Sequence, residues 1–237
     1  MSNMKKMKRF AALALALGLT LTLGACKKSG LSTFDAKAYV EGLLKETYLG
    51  EFDEGYMTLV GITEEEAQAT YENSLDVESN NFYYFYDIEY PTEEFHEKMM
   101  DLYKRIYAHA KFEVVSAAAQ DDGSFSVKLS IEPINIVQLA EAKFEEAMQP
   151  FYDKYPMEVQ QAMDVGDEKY VAMDQEYAQM ILDLYESVMP EIGNEEAQSL
   201  SVQIEKGEDG YYSLTDDDFN RIDSLIINYN LTPVTGE

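Results

Sequence analysis

Tryptophan is absent from this 237-residue chain, and cysteine occurs only once. A lone thiol excludes internal disulfides and cysteine-rich zinc sites. Basic residues are scarce: 18 Lys and Arg stand against 45 Asp and Glu, a formal net charge of −27. That balance argues against a nucleic-acid binder, whose affinity rests on Lys and Arg neutralising phosphates. The sequence offers a single long apolar run, Phe10 to Leu23, shorter than the roughly 18 to 20 residues needed to cross a bilayer as a helix. What is present looks globular. With 46% hydrophobic and 27% charged residues, the composition suits a folded core, and the length suits one large domain or two small ones.

The first 25 residues have three zones: Lys5, Lys6, Lys8 and Arg9, then the apolar run, then Gly24 and Ala25. This is the pattern of a secretory signal peptide. Leu23-Gly24-Ala25-Cys26 resembles the lipobox of bacterial lipoproteins, in which small residues precede a cysteine at the end of the apolar run. The resemblance implies a diacylglyceryl group, carrying acyl chains such as palmitate, on the Cys26 sulfur, cleavage after Ala25 and Cys26 as the lipidated N-terminus. Two acyl chains hold a protein at a membrane where one gives only marginal binding. Lys27 and Lys28 would then lie at the lipid surface, each adding about 1 kcal/mol of attraction to anionic headgroups. Residues 26–33 form a short polar tether. Removal of the signal leaves 14 basic against 45 acidic side chains, net −31, so the body is repelled from an anionic membrane.

Beyond the tether, helical spacing runs from Phe34 to Leu49 with Gly50 as a stop, and a short helix is expected over Phe52 to Val60. Thr63 to Glu66 reads as a capping box for a long helix whose inward stripe is Ala67, Tyr71, Leu75, Glu78, Phe82 and Phe85. Glu78 is the one polar member of that stripe. The break is expected near Tyr90-Pro91. Thr92 caps a further helix to about Ala110, with Phe95, Met99, Leu102 and Ile106 inward. The period then drops to two: Phe112 and Val114, then Phe125, Val127, Leu129 and Ile131 after Asp121-Asp122-Gly123, a β-hairpin with one solvated face. A helix from about Val137 to Met163, interrupted at Pro150 and Pro156, and another from Glu168 to Met189 precede a second hairpin. Its strands carry Leu200, Val202 and Ile204, then Tyr212 and Leu214, around an Asp209-Gly210 turn. A last helix starts behind Thr215, and residues 231–237 read as a flexible tail. The fold class is therefore α+β, predominantly helical. The two hairpins are expected to form one four-stranded antiparallel sheet within a single domain over 34–230, because a lone hairpin is marginal in water.

Chemistry is hard to find. His96-Glu97-Lys98-Met99-Met100 opens like a zinc-protease motif, but Met100 stands where the second His belongs, and His109 lies about 220° further around the helix. No Gly-x-Ser-x-Gly elbow or phosphate-binding glycine pattern occurs. With 45 acidic groups, some close carboxylate pair exists in any fold and so signals little. For calcium, the weak candidates are Asp209 and Asp216 around the second hairpin turn, where Gly207 falls at a ligand position of an EF-hand alignment. Helix capping explains the same acids. The densest aromatic run, Asn80 to Tyr86, gives a Tyr row, Tyr83, Tyr86 and Tyr90, offset from the core stripe and able to face a ligand or partner.

The mature part also resembles surface lipoproteins of Gram-positive gut-type bacteria, in its Tyr-rich helical first half, the strand ending Ile131-Glu132-Pro133, and the Asp209 to Phe219 turn into an acid-capped helix. That resemblance implies localisation on the outer face of the cytoplasmic membrane and carries no activity. The resulting expectation is a non-enzymatic, lipid-anchored binding or interaction module without a cofactor. Its partner would be a cationic small molecule, a peptide or an envelope protein. The alternatives are an envelope-polymer hydrolase using a carboxylate pair, and a calcium-dependent binding protein.

Overall fold

A computed structural model describes residues 30–208 and 211–229. The signal segment, the residues flanking Cys26 up to Ser29, the Asp209-Gly210 turn and the expected tail lie outside the described residues. Helix α1 (Thr33–Leu44) begins with a reciprocal capping box between Ser32 and Asp35 and runs on into a π-helical turn, Lys45–Leu49. Gly50 ends that turn at φ 62°, close against Tyr71, whose ring would lie 2.8 Å from any Cβ there. Helix α2 (Glu54–Val60) crosses α1 at Gly42, where a Cβ would fall 2.3 Å from Tyr56. Glycine at both positions is a packing requirement.

Helix α3 (Glu64–Tyr86) carries the Thr63–Glu66 capping box read from the sequence. It stops four residues before the expected Tyr90-Pro91 break. Asp87 takes the left-handed conformation (φ 55°), and the Ile88 N–H donates to the Tyr83 carbonyl at 2.9 Å. This is a Schellman closure, in which the buried Ile88 supplies the accompanying apolar contact. Helix α4 (Glu93–Tyr107) is capped by Thr92. Helix α5 (Ile136–Lys154) contains Pro150 without breaking. The expected interruption comes only at Pro156, which forces Tyr155 out of helical geometry before the short α6 (Met157–Gln161). Helix α7 (Glu168–Val188) follows.

The two hairpins, β1 (Lys111–Ala119) with β2 (Phe125–Glu132) and β3 (Gln198–Lys206) with β4 (Tyr212–Leu214), form one antiparallel sheet in the order β1-β2-β3-β4. The register sets Val127 opposite Val202, Leu129 opposite Leu200 and Phe125 opposite Ile204. All the buried positions therefore fall on one face, while Ser126, Lys128 and Ser201 line the other. A bulge between Val114 and Ser116 shifts the edge strand β1. Helix α1 and the last helix, α8 (Asp216–Ile226), cover the apolar face. The buried side chains join into one core that extends from the sheet into the α3–α4–α7 helices.

Candidate functional site

The Tyr row does not form an outward face. Tyr83 and Tyr86 are 7% and 8% exposed. The Tyr83 hydroxyl lies 2.9 Å from His96 Nδ1, and the Tyr86 hydroxyl 2.9 Å from that of Tyr185. Tyr86 also stacks on Phe144 of α5. The last turns of α3 are enclosed on several sides by α4, α5 and α7, so a second stripe is buried beside the first, and Tyr84 is the exposed aromatic there. Tyr90 belongs to the connection after the Schellman turn rather than to the helix. Its N–H donates to Asp174 Oδ2 at 2.8 Å and its ring meets Tyr170 edge-on.

Of the other singled-out residues, Cys26, Lys27, Lys28 and Asp209 lie outside the described residues. Asp216 is exposed at the start of α8. Among the described residues no three His, Cys, Asp or Glu side chains converge in a way that could hold a metal ion. His96, which opens the failed zinc-protease pattern, is the middle of a hydrogen-bonded relay: Nε2 lies 2.9 Å from Asp76 Oδ1, and Nδ1 meets Tyr83. Burial raises the Tyr83 phenol above its ordinary range, so this relay holds a proton rather than activating an oxygen nucleophile.

A different set of groups converges behind α3. Glu78, the polar member of the apolar stripe, is 6% exposed. It accepts from the Tyr229 hydroxyl and, at 3.3 Å, from Asn81 Nδ2. Asp223 of α8 accepts from the Tyr48 hydroxyl at 3.1 Å. Tyr48 in the π-helical turn and Tyr107 of α4 pack edge-to-face with centroids 5.2 Å apart. Tyr103 completes the ring of phenols around the two carboxyls. Loss of hydration raises both acids, Glu78 to about 7 and Asp223 to about 6, and the negative charge of Asp223 raises Glu78 further. Another acid, Glu46 of the π-helical turn, is 2% exposed and is raised to about 7 by burial. Only Glu78 carried a signal in the sequence, as a carboxylate within an apolar stripe. Asp223 and the tyrosines come from segments too distant in sequence for periodicity to join them.

On the outside, α4 and α7 flank an open groove of about 450 Å³. Its acids are Glu94, Glu97, Asp101, Asp183 and Glu186; its bases, Lys98 and Arg105, are both ion-paired to acids of the groove. The groove therefore presents a net negative field.

Helices over one face of a four-stranded antiparallel meander define the class as α+β. Among solved structures, the fold is similar to the crystal structure of a "putative lipoprotein" (YcdA) from Bacillus subtilis, with a TM-score of 0.51 at 12% sequence identity. The match covers 83% of this chain and 55% of that one, so the chain spans about half the length of YcdA. At that identity the likeness is one of fold. No protein-family model and no curated protein matches the chain.

Proposed function

We propose that the protein is a lipid-anchored module on the outer face of the cytoplasmic membrane of a Gram-positive bacterium, and that it binds a cationic partner there without catalysing a reaction. The observation that carries the anchoring is Leu23-Gly24-Ala25-Cys26 at the end of a short apolar run behind a basic start. The likeness in fold to a protein described as a lipoprotein supports it. In cells fed labelled palmitate, the wild type should take up label and partition into detergent, and Cys26→Ser should do neither. Label retained by Cys26→Ser would end the anchoring reading.

For binding, the support is electrostatic: a mature chain of net −31 and the acidic α4–α7 groove favour cationic small molecules, peptides or basic patches of envelope proteins. A Lys-rich peptide should bind the wild type with strong salt dependence, and Glu97→Lys with Asp183→Lys should weaken it at least about tenfold. Unchanged affinity in that variant would move the binding face elsewhere. A hydrolase reading has one specific observation in its favour, the raised carboxyl pair Glu78 and Asp223. Glu78 is enclosed by tyrosines, so polymer hydrolysis abolished by Glu78→Gln would be needed to prefer it.

A further inference from the structure

Phe34 lies in the first turn of α1 and is 78% exposed, the most exposed large apolar side chain among the described residues. A single exposed aromatic is ordinary on a protein surface; what sets this one apart is its place in the chain. Leu31, three residues earlier, is buried in the core, so the folded domain begins only five residues after Cys26. At about 3.6 Å per fully extended residue, that stretch holds Leu31 within about 18 Å of Cys26. An acyl group on Cys26 therefore keeps the start of α1 beside the lipid. We propose, given the anchoring at Cys26 put forward above, that this end of α1 docks on the bilayer: the Phe34 ring enters the boundary between headgroups and acyl chains, and Lys37 meets the lipid phosphates. The anchored domain then stands on the membrane in one orientation.

Charge selects the same end. From Cys26 to Lys37 three lysines stand against one acid, whereas beyond Lys37 the chain has 11 basic and 44 acidic side chains. That one acid, Asp35, is engaged by Ser32 in the capping box. Lys37 lies one turn beyond Phe34 on the same face of α1 and pairs with no acid among the described residues. The next acid along that face, Glu41, is two turns from Phe34 and is ion-paired to Lys45 at 2.9 Å. A ring with a lysine beside it suits anionic lipid, the ring buried at the boundary and the ammonium reaching the phosphates. Because the anchor makes the contact intramolecular, a weak interaction is enough to hold it. The other exposed apolar side chains that lie close in sequence, Met157, Val159 and Val165, stand among Glu158, Asp164, Asp167 and Glu168, acids that an anionic surface repels.

The absence of tryptophan makes the contact readable. Phe34→Trp and, separately, Val165→Trp each give the chain a single indole, at positions exposed enough for the fold to accept it. The full chain, produced with its signal segment in a Gram-positive host, is reconstituted into vesicles of phosphatidylcholine and phosphatidylglycerol. With brominated phosphatidylcholine in the vesicles, the fluorescence of Phe34→Trp should fall at least about twofold and its emission shift to the blue, while that of Val165→Trp should change by less than about a tenth. Flotation with the vesicles reports the anchor separately. A chain that floats with position 34 unquenched, or with positions 34 and 165 quenched alike, overturns the docking and leaves the anchor standing. A chain that does not float removes the anchor, and the docking with it.

Discussion

The sheet and the helical half of the core are buried to the same degree and built of different matter. Between the sheet and its two covering helices the buried side chains are chiefly aliphatic, among them Val127, Leu129, Ile131, Val202 and Ile204 at 0% exposure and Leu200 at 7%. Among α3, α4, α7 and the π-helical turn the core is built largely from tyrosines, Tyr48, Tyr86, Tyr103, Tyr107 and Tyr185, around Glu78. An aliphatic interior is indifferent to pH. A phenolic one can bury a carboxyl, because a hydroxyl can donate to it as Tyr229 does to Glu78, and so acquires a titration that depends on folding. Responsiveness in this protein is therefore confined to one half of a continuous core.

The largest effects come from truncating either half. Tyr86→Ala removes a ring packed on Tyr185, Phe82 and Phe144 and should cost about 3–5 kcal/mol in chemical denaturation; Leu129→Ala in the sheet should cost about 2–5 kcal/mol. A near-neutral Tyr86→Ala would return that tyrosine to the surface. The halves should separate by pH: the penalty of Leu129→Ala is the same at pH 5.5 and pH 8.

Next in size is the pH dependence of the wild type. Glu78 and Asp223 have folded values above the usual carboxylate range. Below about pH 3 the acids are protonated in both states. Between there and the folded values the native state holds more protons than the unfolded chain, so stability falls as pH rises. Since each unit is worth 1.36 kcal/mol, Glu78 alone should make the protein about 2–3 kcal/mol less stable at pH 8 than at pH 4.5, and Asp223 adds in the same sense. Glu78→Gln should remove most of that slope; a wild type that gains stability over this range would contradict it. Glu46 contributes in the same sense and should survive as a residual slope.

Smaller again is Asp174→Ala, which leaves the Glu89 and Tyr90 amides, now bonded at 3.2 and 2.8 Å, without their acceptor. A loss of about 1–2 kcal/mol is expected, with faster exchange of those two amides. Least of all is Arg105→Ala. Its ion pairs to Asp101 and Glu186 are exposed, so stability should change by less than about 1 kcal/mol and fade further in high salt.

Much of this fold is legible in the residues. The Thr63–Glu66 box, Thr92 and Thr215 mark helix starts through their own side chains, and the period-two runs mark the four strands and their buried face. A single sheet followed from the need of each hairpin for a neighbour. The Tyr row misled because a helical wheel assigns one inward stripe, whereas the end of α3 is surrounded. Pro150 misled because a proline weakens a helix without necessarily ending it.

What the sequence by itself determined is local: where elements begin, which face of each strand is apolar, the acidity of the whole, and the lipobox pattern at Cys26. Those properties depend on residues within a turn or two of one another. Tertiary structure alone decided that Tyr48 meets Asp223 across 175 positions and Tyr229 meets Glu78 across 151. No periodicity encodes such pairs. Their carboxyls acquire raised proton affinity only when packing removes the water around them, which makes that chemistry a property of the fold.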